Sequence, residues 1–170
     1  LSVYVDGMRF NDGFGDTVNW DLIPQSAISS IDVIPGSNPL FGLNTLGGAL
    51  SLRTRSGRDQ QGVSVAASGG SFARRSAELV AGGAIDRWDG LAALSYYEED
   101  GWRDRSPSEV RQLFLKGGYT GERTAWTASY TLADNALVGN GLAPESLLAD
   151  ERATDYTYPD RTEPRRGFLA

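Results

Sequence analysis

The chain has 170 residues, 22 acidic and 16 basic, for a net charge of −6, and it has no Cys and no His. Zinc fingers, cysteine nucleophiles, a Ser-His-Asp triad and a disulfide framework are therefore excluded within this chain, and an acidic balance with a single lysine, Lys116, gives no electrostatic footprint for nucleic acid. No apolar run is long enough for a bilayer-spanning helix, but membrane β-barrel strands alternate and leave that architecture open.

Residues 1 to about 57 are punctuated by Gly and Pro. Ser2 to Val5 is β-branched and aromatic, and Asp6-Gly7 before Met8-Arg9-Phe10 is a hairpin signal. Asp6 reads as a turn residue, not a ligand. Residues Asn11 to Asp16 are loop material; Asp12, Asp16, Asn19 and Asp21 lack the calcium-loop spacing and read as solvated. Pro24 suits the first position of a short helix through Ile28. Ser30 to Ile34 alternates as a strand and is stopped by Pro35-Gly36. Leu40 to Leu46 reads as compact and irregular, and Gly47-Gly48 opens a strand over Ala49 to Arg55.

From Gln60 the texture becomes repeated hairpins. Five strands are expected, over Val63–Ser68, Ala73–Ile85, Gly90–Glu98, Val110–Thr120 and Ala125–Leu132. Asp86–Asp89 and Gly121–Arg123 are tight turns, whereas Glu99–Glu109 and Ala133–Pro164 read as long polar loops. Short turns at one end and long loops at the other is the outer-membrane barrel pattern. Glu98, Glu99 and Asp100 could form a carboxylate pair, but adjacent strand residues point to opposite faces, so catalysis is not expected.

One face carries Trp88, Ala92, Leu94 and Tyr96, then Leu113, Leu115 and Tyr119, then Trp126, Ala128 and Tyr130. Trp88 to Tyr96 spans roughly 26 Å along a strand, and tilted by about 40° it approaches the height of a barrel's apolar band. Trp88, Ala92, Leu94, Leu113, Leu115, Trp126 and Ala128 are therefore expected to face lipid, with Ser95, Gln112, Lys116, Thr127 and Ser129 toward a lumen. On this pattern alone, core aromatics of a soluble β-sheet remain an alternative. The chain lacks an initiator Met or signal segment and stops within an apolar alternation, so an internal fragment is expected, with a processed domain as the alternative.

Three motifs in order carry a resemblance: Val3-Tyr4-Val5-Asp6-Gly7, then Ile23-Pro24 through Ile28, Ile31 and Val33, then Asn44-Thr45-Leu46-Gly47-Gly48 running into Ala49–Arg55. Together they resemble the second half of the plug domain of TonB-dependent outer-membrane receptors, and the hairpins that follow are similar to that family's opening barrel strands. The resemblance implies a mainly β fold, a partial transmembrane antiparallel β-barrel of about five to six strands preceded by part of a small α+β plug. It places the plug over residues 1–57 and the barrel over 58–170. Many members have an Arg before the Gly that closes the I-x-V strand; Pro35 stands there, which puts in doubt any plug-to-barrel ion pair made from that Arg.

The resemblance implies no enzyme. It implies energy-coupled uptake of a specific ligand across the outer membrane of a Gram-negative cell, most often a ferric siderophore, with cobalamin, haem and glycans as alternatives. The implied partners are outer-membrane lipid, a TonB-type energy-transducing protein acting on a segment absent here, and a metal chelate or other small molecule, with no cofactor and no bound metal of its own. A passive porin and a secreted β-sandwich binding module are the rivals; residues 1–57 argue against the porin, and the aromatic belts against the sandwich. By motif order, Phe10, Asn11, Asp12, Phe14 and Trp20 match the plug apices that floor the ligand site, although Phe10, Phe14 and Trp20 could instead pack the plug against the wall. In the outer loop, Trp102, Arg103 and Arg105 offer an aromatic face and two guanidinium groups to an anionic chelate, or are ordinary loop residues solvated beside Asp100 and Asp104.

Overall fold

A computed structural model describes residues 1–14, 16–36, 47–139, 145–150, 152–154, 160–162 and 165–169. The expected compact segment Leu40–Leu46, with the Asn44-Thr45-Leu46 part of the third motif, lies outside the described residues.

The first sheet has four strands in the order β2-β1-β4-β3, with β1 Ser2–Val5, β2 Met8–Arg9, β3 Ile28–Ile34 and β4 Ala49–Thr54. The β1–β2 connection is the expected Asp6-Gly7 hairpin, in register Tyr4↔Arg9 and Val5↔Met8. Both turn residues take positive φ, 50° at Asp6 and 83° at Gly7. That is the mirror-image turn whose twist suits paired strands, and it is why Gly stands at the second position. β1 runs parallel to β4 and β3 antiparallel to it. The helix expected from Pro24 contracts to one 3-10 turn, Gln25–Ala27, and a second covers Trp20–Leu22. Strand β3 starts at Ile28, so no room remains to propagate a longer helix.

The second sheet is antiparallel and strongly hairpinned. It contains β5 Gly62–Gly69, β6 Arg75–Ile85, β7 Trp88–Glu99, β8 Ser108–Thr120 and β9 Ala125–Gly139, each paired with the next. Short strands β10 Asp160–Thr162 and β11 Arg165–Leu169 share the free edge of β9. Three expectations are corrected here. β6 begins at Arg75, not Ala73, because Phe72 and Ala73 take positive φ in the turn. β9 continues to Gly139, seven residues past the expected end at Leu132. Its pairing with Ser108–Gln112 holds the polar stretch extended, Asn135 opposite Val110 and Asp134 opposite Arg111. The region read as one loop through Pro164 also contains β10 and a short helix, α1, Glu145–Asp150.

The two sheets share their apolar cores. Val3, Phe10, Leu22, Ile23 and Leu52 of the first bury against Ala133 of β9. Ala27, from the second 3-10 turn, sits among Val80, Leu91, Ala93 and Phe114 of the wall. Burial of a side chain such as Phe114 stabilises by about 1.5–3 kcal/mol, so this shared packing fixes the position of the first sheet on the second.

Candidate ligand-binding site

The loop between β2 and the first 3-10 turn is stitched together by its own polar groups. The Asn11 Oδ1 accepts the Val3 N–H at 2.7 Å, and its Nδ2 donates to the carbonyls of Leu1 and Asp16. The Asp12 carboxylate accepts from Thr17 Oγ1 at 2.9 Å and from Asn19 Nδ2 at 3.1 and 3.2 Å. Arg9 and Asp16 pair at 2.7 Å. This network leaves Phe14 at the tip 97% exposed and Trp20 53% exposed. Phe10 is different: it is buried in the core of the first sheet, and Asn11 spends its amide on backbone.

Trp20, Asp21 and Gln25 form one side of a cleft of about 440 Å³ whose other side is the facing wall, with Ser76, Glu78, Ser95, Tyr97, Val110 and Gln112. Gln112 Nε2 donates to the Asp21 carbonyl, and Ser95 Oγ donates to Gln112 Oε1 at 2.7 Å, fixing the amide's orientation. The cleft lies toward the strand ends that carry the longer connections. It offers a half-exposed indole, a phenol, two carboxylates and several neutral hydrogen-bonding groups, a surface suited to a flat, partly polar small molecule.

Trp102, Arg103 and Arg105 do not line this cleft. The Arg103 guanidinium lies over the Trp102 ring, 4.9 Å from its centroid, and Arg105 takes a φ of 53°. Their loop is tied to the distal region by the Asp104 N–H, which donates to the Ala153 carbonyl at 2.8 Å.

The opposite face of the second sheet is apolar in rows. Leu79, Leu94, Leu113 and Leu132 stand directly across from one another on four strands. Toward the short-turn end, Trp88 packs on Tyr119 at 4.9 Å and on Trp126 at 5.3 Å between ring centroids. Trp88, Leu94, Leu115, Trp126 and Ala128 are exposed on this face, and Ala92 and Leu113 are half-buried. Ser95, Gln112 and Lys116 turn the other way, toward the first sheet, while Thr127 and Ser129 share a small cavity with it.

Two further contacts onto the second sheet, besides that of Gln112 with Asp21, were not legible beforehand. Lys116 Nζ reaches Asp6 Oδ2 at 2.9 Å, Thr54 Oγ1 at 2.7 Å and the Thr54 carbonyl at 3.3 Å. Asp6, read as a turn residue, holds the turn and also accepts from the Thr54 N–H and hydroxyl. The available signal was the isolation of one Lys on an inward position. The second contact is the connection after β4. The Gly57 N–H donates to Asp89 Oδ2 at 3.3 Å, and Arg58 pairs with Asp89 at 3.4 Å. In the same connection, Ser56 Oγ and N–H donate to Asp59 and hold its carboxyl below the usual carboxylate range.

Residues 1–49 match the TonB-dependent receptor plug domain. Over 161 residues, 92% of the chain, the sequence is 27% identical to the vitamin B12 transporter BtuB of Vibrio cholerae, covering 24% of that protein. Over 110 residues, 61% of the chain, it is 31% identical to the ferric aerobactin receptor of Klebsiella pneumoniae, covering 15% of that protein. The chain thus spans about a quarter or less of the curated relatives it matches. Its fold is similar to that of the ferric-catecholate import receptor Fiu of E. coli K12, with TM-score 0.68 and 20% identity over 84% of this chain and 21% of that one. It is also similar to the pyoverdine outer membrane receptor FpvA of Pseudomonas aeruginosa PAO1, with TM-score 0.66 and 17% identity over 81% of this chain and 21% of that one.

Proposed function

We propose that the chain is part of a TonB-dependent receptor, and that the parent protein imports a specific small molecule across the outer membrane of a Gram-negative cell. In this reading, residues 1–57 are plug and residues 58–170 are the first stretch of barrel wall. Trp88, Ala92, Leu94, Leu113, Leu115, Trp126 and Ala128 face lipid. The observation that carries the proposal is the seating of the first sheet on the inward face of the wall through shared apolar cores, with Trp20 and Asp21 opening a cleft toward the longer connections.

The ligand rests on this cleft. Trp20 gives it a stacking surface, Asp21 and Gln25 stand beside that ring, and Tyr97 and Glu78 close the far side; Asp12 and Asn19, outside the cleft lining, hold the loop that carries Trp20. A TonB-type protein, acting on a plug segment outside this chain, supplies the energy, and the plug yields a path. The receptor binds and conducts and performs no chemistry on its cargo. A ferric siderophore is the proposed ligand; iron is then cargo held by the chelate. Cobalamin is the second reading, favoured by the 27% identity to a vitamin B12 transporter over nearly the whole chain.

Ligand affinity of the full-length receptor carrying Trp20→Ala or Asp12→Ala tests the site. A loss of about tenfold is expected for Trp20→Ala, the size of one lost aromatic contact. Wild-type affinity in both variants, with normal assembly in the membrane, assigns binding to the outer loops instead. Growth of a deletion strain on a panel of iron chelates, with corrinoid uptake beside it, separates the two ligand readings.

A further inference from the structure

We propose that Lys116 is a positioning residue that latches the plug to the barrel wall at rest and releases it during import; this rests on the importer reading above. The chain's sole lysine stands on the inward face of β8, and its ammonium uses its donors on plug acceptors: the Asp6 carboxylate, the Thr54 hydroxyl and the Thr54 carbonyl. The Lys116 side chain is 10% exposed and that of Asp6 28%, so the pair is largely screened from water. Charge-assisted hydrogen bonds in such surroundings are stronger than neutral ones, and removing one partner strands the other charge.

The plug side of the latch is itself fixed. Asp6 is held in the two-residue turn by its positive φ, and its second oxygen accepts the Thr54 N–H at 2.9 Å. The latch therefore grips the β1–β2 turn and the end of β4 together. Pro35 occupies the place where many family members have an arginine, so the pair made from that arginine cannot form in this chain. The structure supplies an ion pair of the opposite arrangement, with the anion on the plug and the cation on the wall.

The contact lies beside the connection that joins plug to wall. Gly57 and Arg58 of that connection are separately docked on Asp89. A plug that opens a path along this wall can keep the Asp89 attachment, but it must give up Lys116 to move the β1–β2 turn.

The test uses the full-length receptor in the outer membrane. The readouts are leak of a bulky antibiotic without ligand, ligand affinity, and energised uptake. Lys116→Met is expected to raise leak roughly tenfold, the scale of one charge-assisted hydrogen bond, with ligand affinity unchanged. Lys116→Arg is expected to return leak to baseline. Lys116→Gln substitutes where the Met variant does not assemble, and baseline leak in the assembled variants overturns the proposal. Independently, Asp6→Cys with Lys116→Cys, joined by a bifunctional thiol reagent, is expected to abolish uptake while leaving binding intact; these 170 residues hold no other cysteine, and any cysteine elsewhere in the receptor is first replaced by serine. Import at the wild-type rate through the cross-linked receptor also overturns it. A wild-type receptor with no ligand-dependent uptake defeats the importer reading instead, while leak still reports the latch.

Discussion

At the scale of single residues, the side a strand residue faces decides what a substitution costs. Leu94 and Leu115 are exposed on the apolar face, and Gln112 and Lys116, an odd number of positions from Leu115 along β8, turn to the first sheet. With the apolar face toward lipid, Leu94→Arg or Leu115→Arg is expected to cost about 2–4 kcal/mol near mid-bilayer, and Thr127→Ser much less. Refolding of the full-length variants into lipid vesicles, titrated with urea, measures the difference. Quenching by a lipid-phase probe at position 116 with protection at 115 would reverse the assignment. Among the expected site residues, the side chains divide by burial. Trp20 and Phe14 are open, whereas Phe10 is a core residue whose truncation is expected to show in stability before it shows in binding.

At the scale of elements, the one glycine of the connecting segment, Gly57, lets backbone lie on backbone. A Cβ on Gly57 would lie 2.3 Å from the carbonyl oxygens of both Gly83 and Gly90. No rotamer relieves that overlap, because the obstacles are main chain. Gly57→Ala is therefore expected to destabilise the plug–wall junction by about 1–3 kcal/mol. The check is a lowered urea midpoint for the full-length receptor, or earlier proteolytic cleavage within 55–61. The hairpins were legible because alternation and turn chemistry are local: Asp6-Gly7 encodes its own geometry, and Asp86–Asp89 marks a tight connection. Strand ends were less legible. Asp134 and Asn135 look like loop residues, but their partners on β8 keep them extended, and Asn135 is buried while Asp134 is exposed.

At the scale of the whole molecule, the 170 residues leave two kinds of surface unsatisfied. Among the described residues the second sheet has free edges at β5 and beyond β10 and β11, and its outer face exposes Val63, Val65, Ile85 and Trp88 at 69, 70, 80 and 55%. Open edges recruit other strands, and an apolar face of this extent recruits lipid or another copy. The piece expressed alone is expected to aggregate or to require detergent. A monodisperse monomer in plain buffer with a sharp cooperative melt, read by sedimentation and circular dichroism, would contradict this.

The sequence by itself determined the hairpin architecture, the parity of the strand faces and the plug-domain resemblance, since all three are written in short-range periodicity and in motif order. It also marked the loop that bears Trp20. It did not determine which polar residues meet. Asp6 and Lys116 are 110 positions apart, and Asp21 and Gln112 are 91 apart. Nothing local couples them, because a plug turn and a barrel strand are brought together only when two sheets bury a shared core. The same holds for the cleft, whose walls come from the two 3-10 turns and from three strands of the second sheet. Tertiary structure decided those contacts, because the placement of one sheet on another is set by complementary packing of Ala27, Phe114 and Ala133, and that complementarity has no signature along the chain.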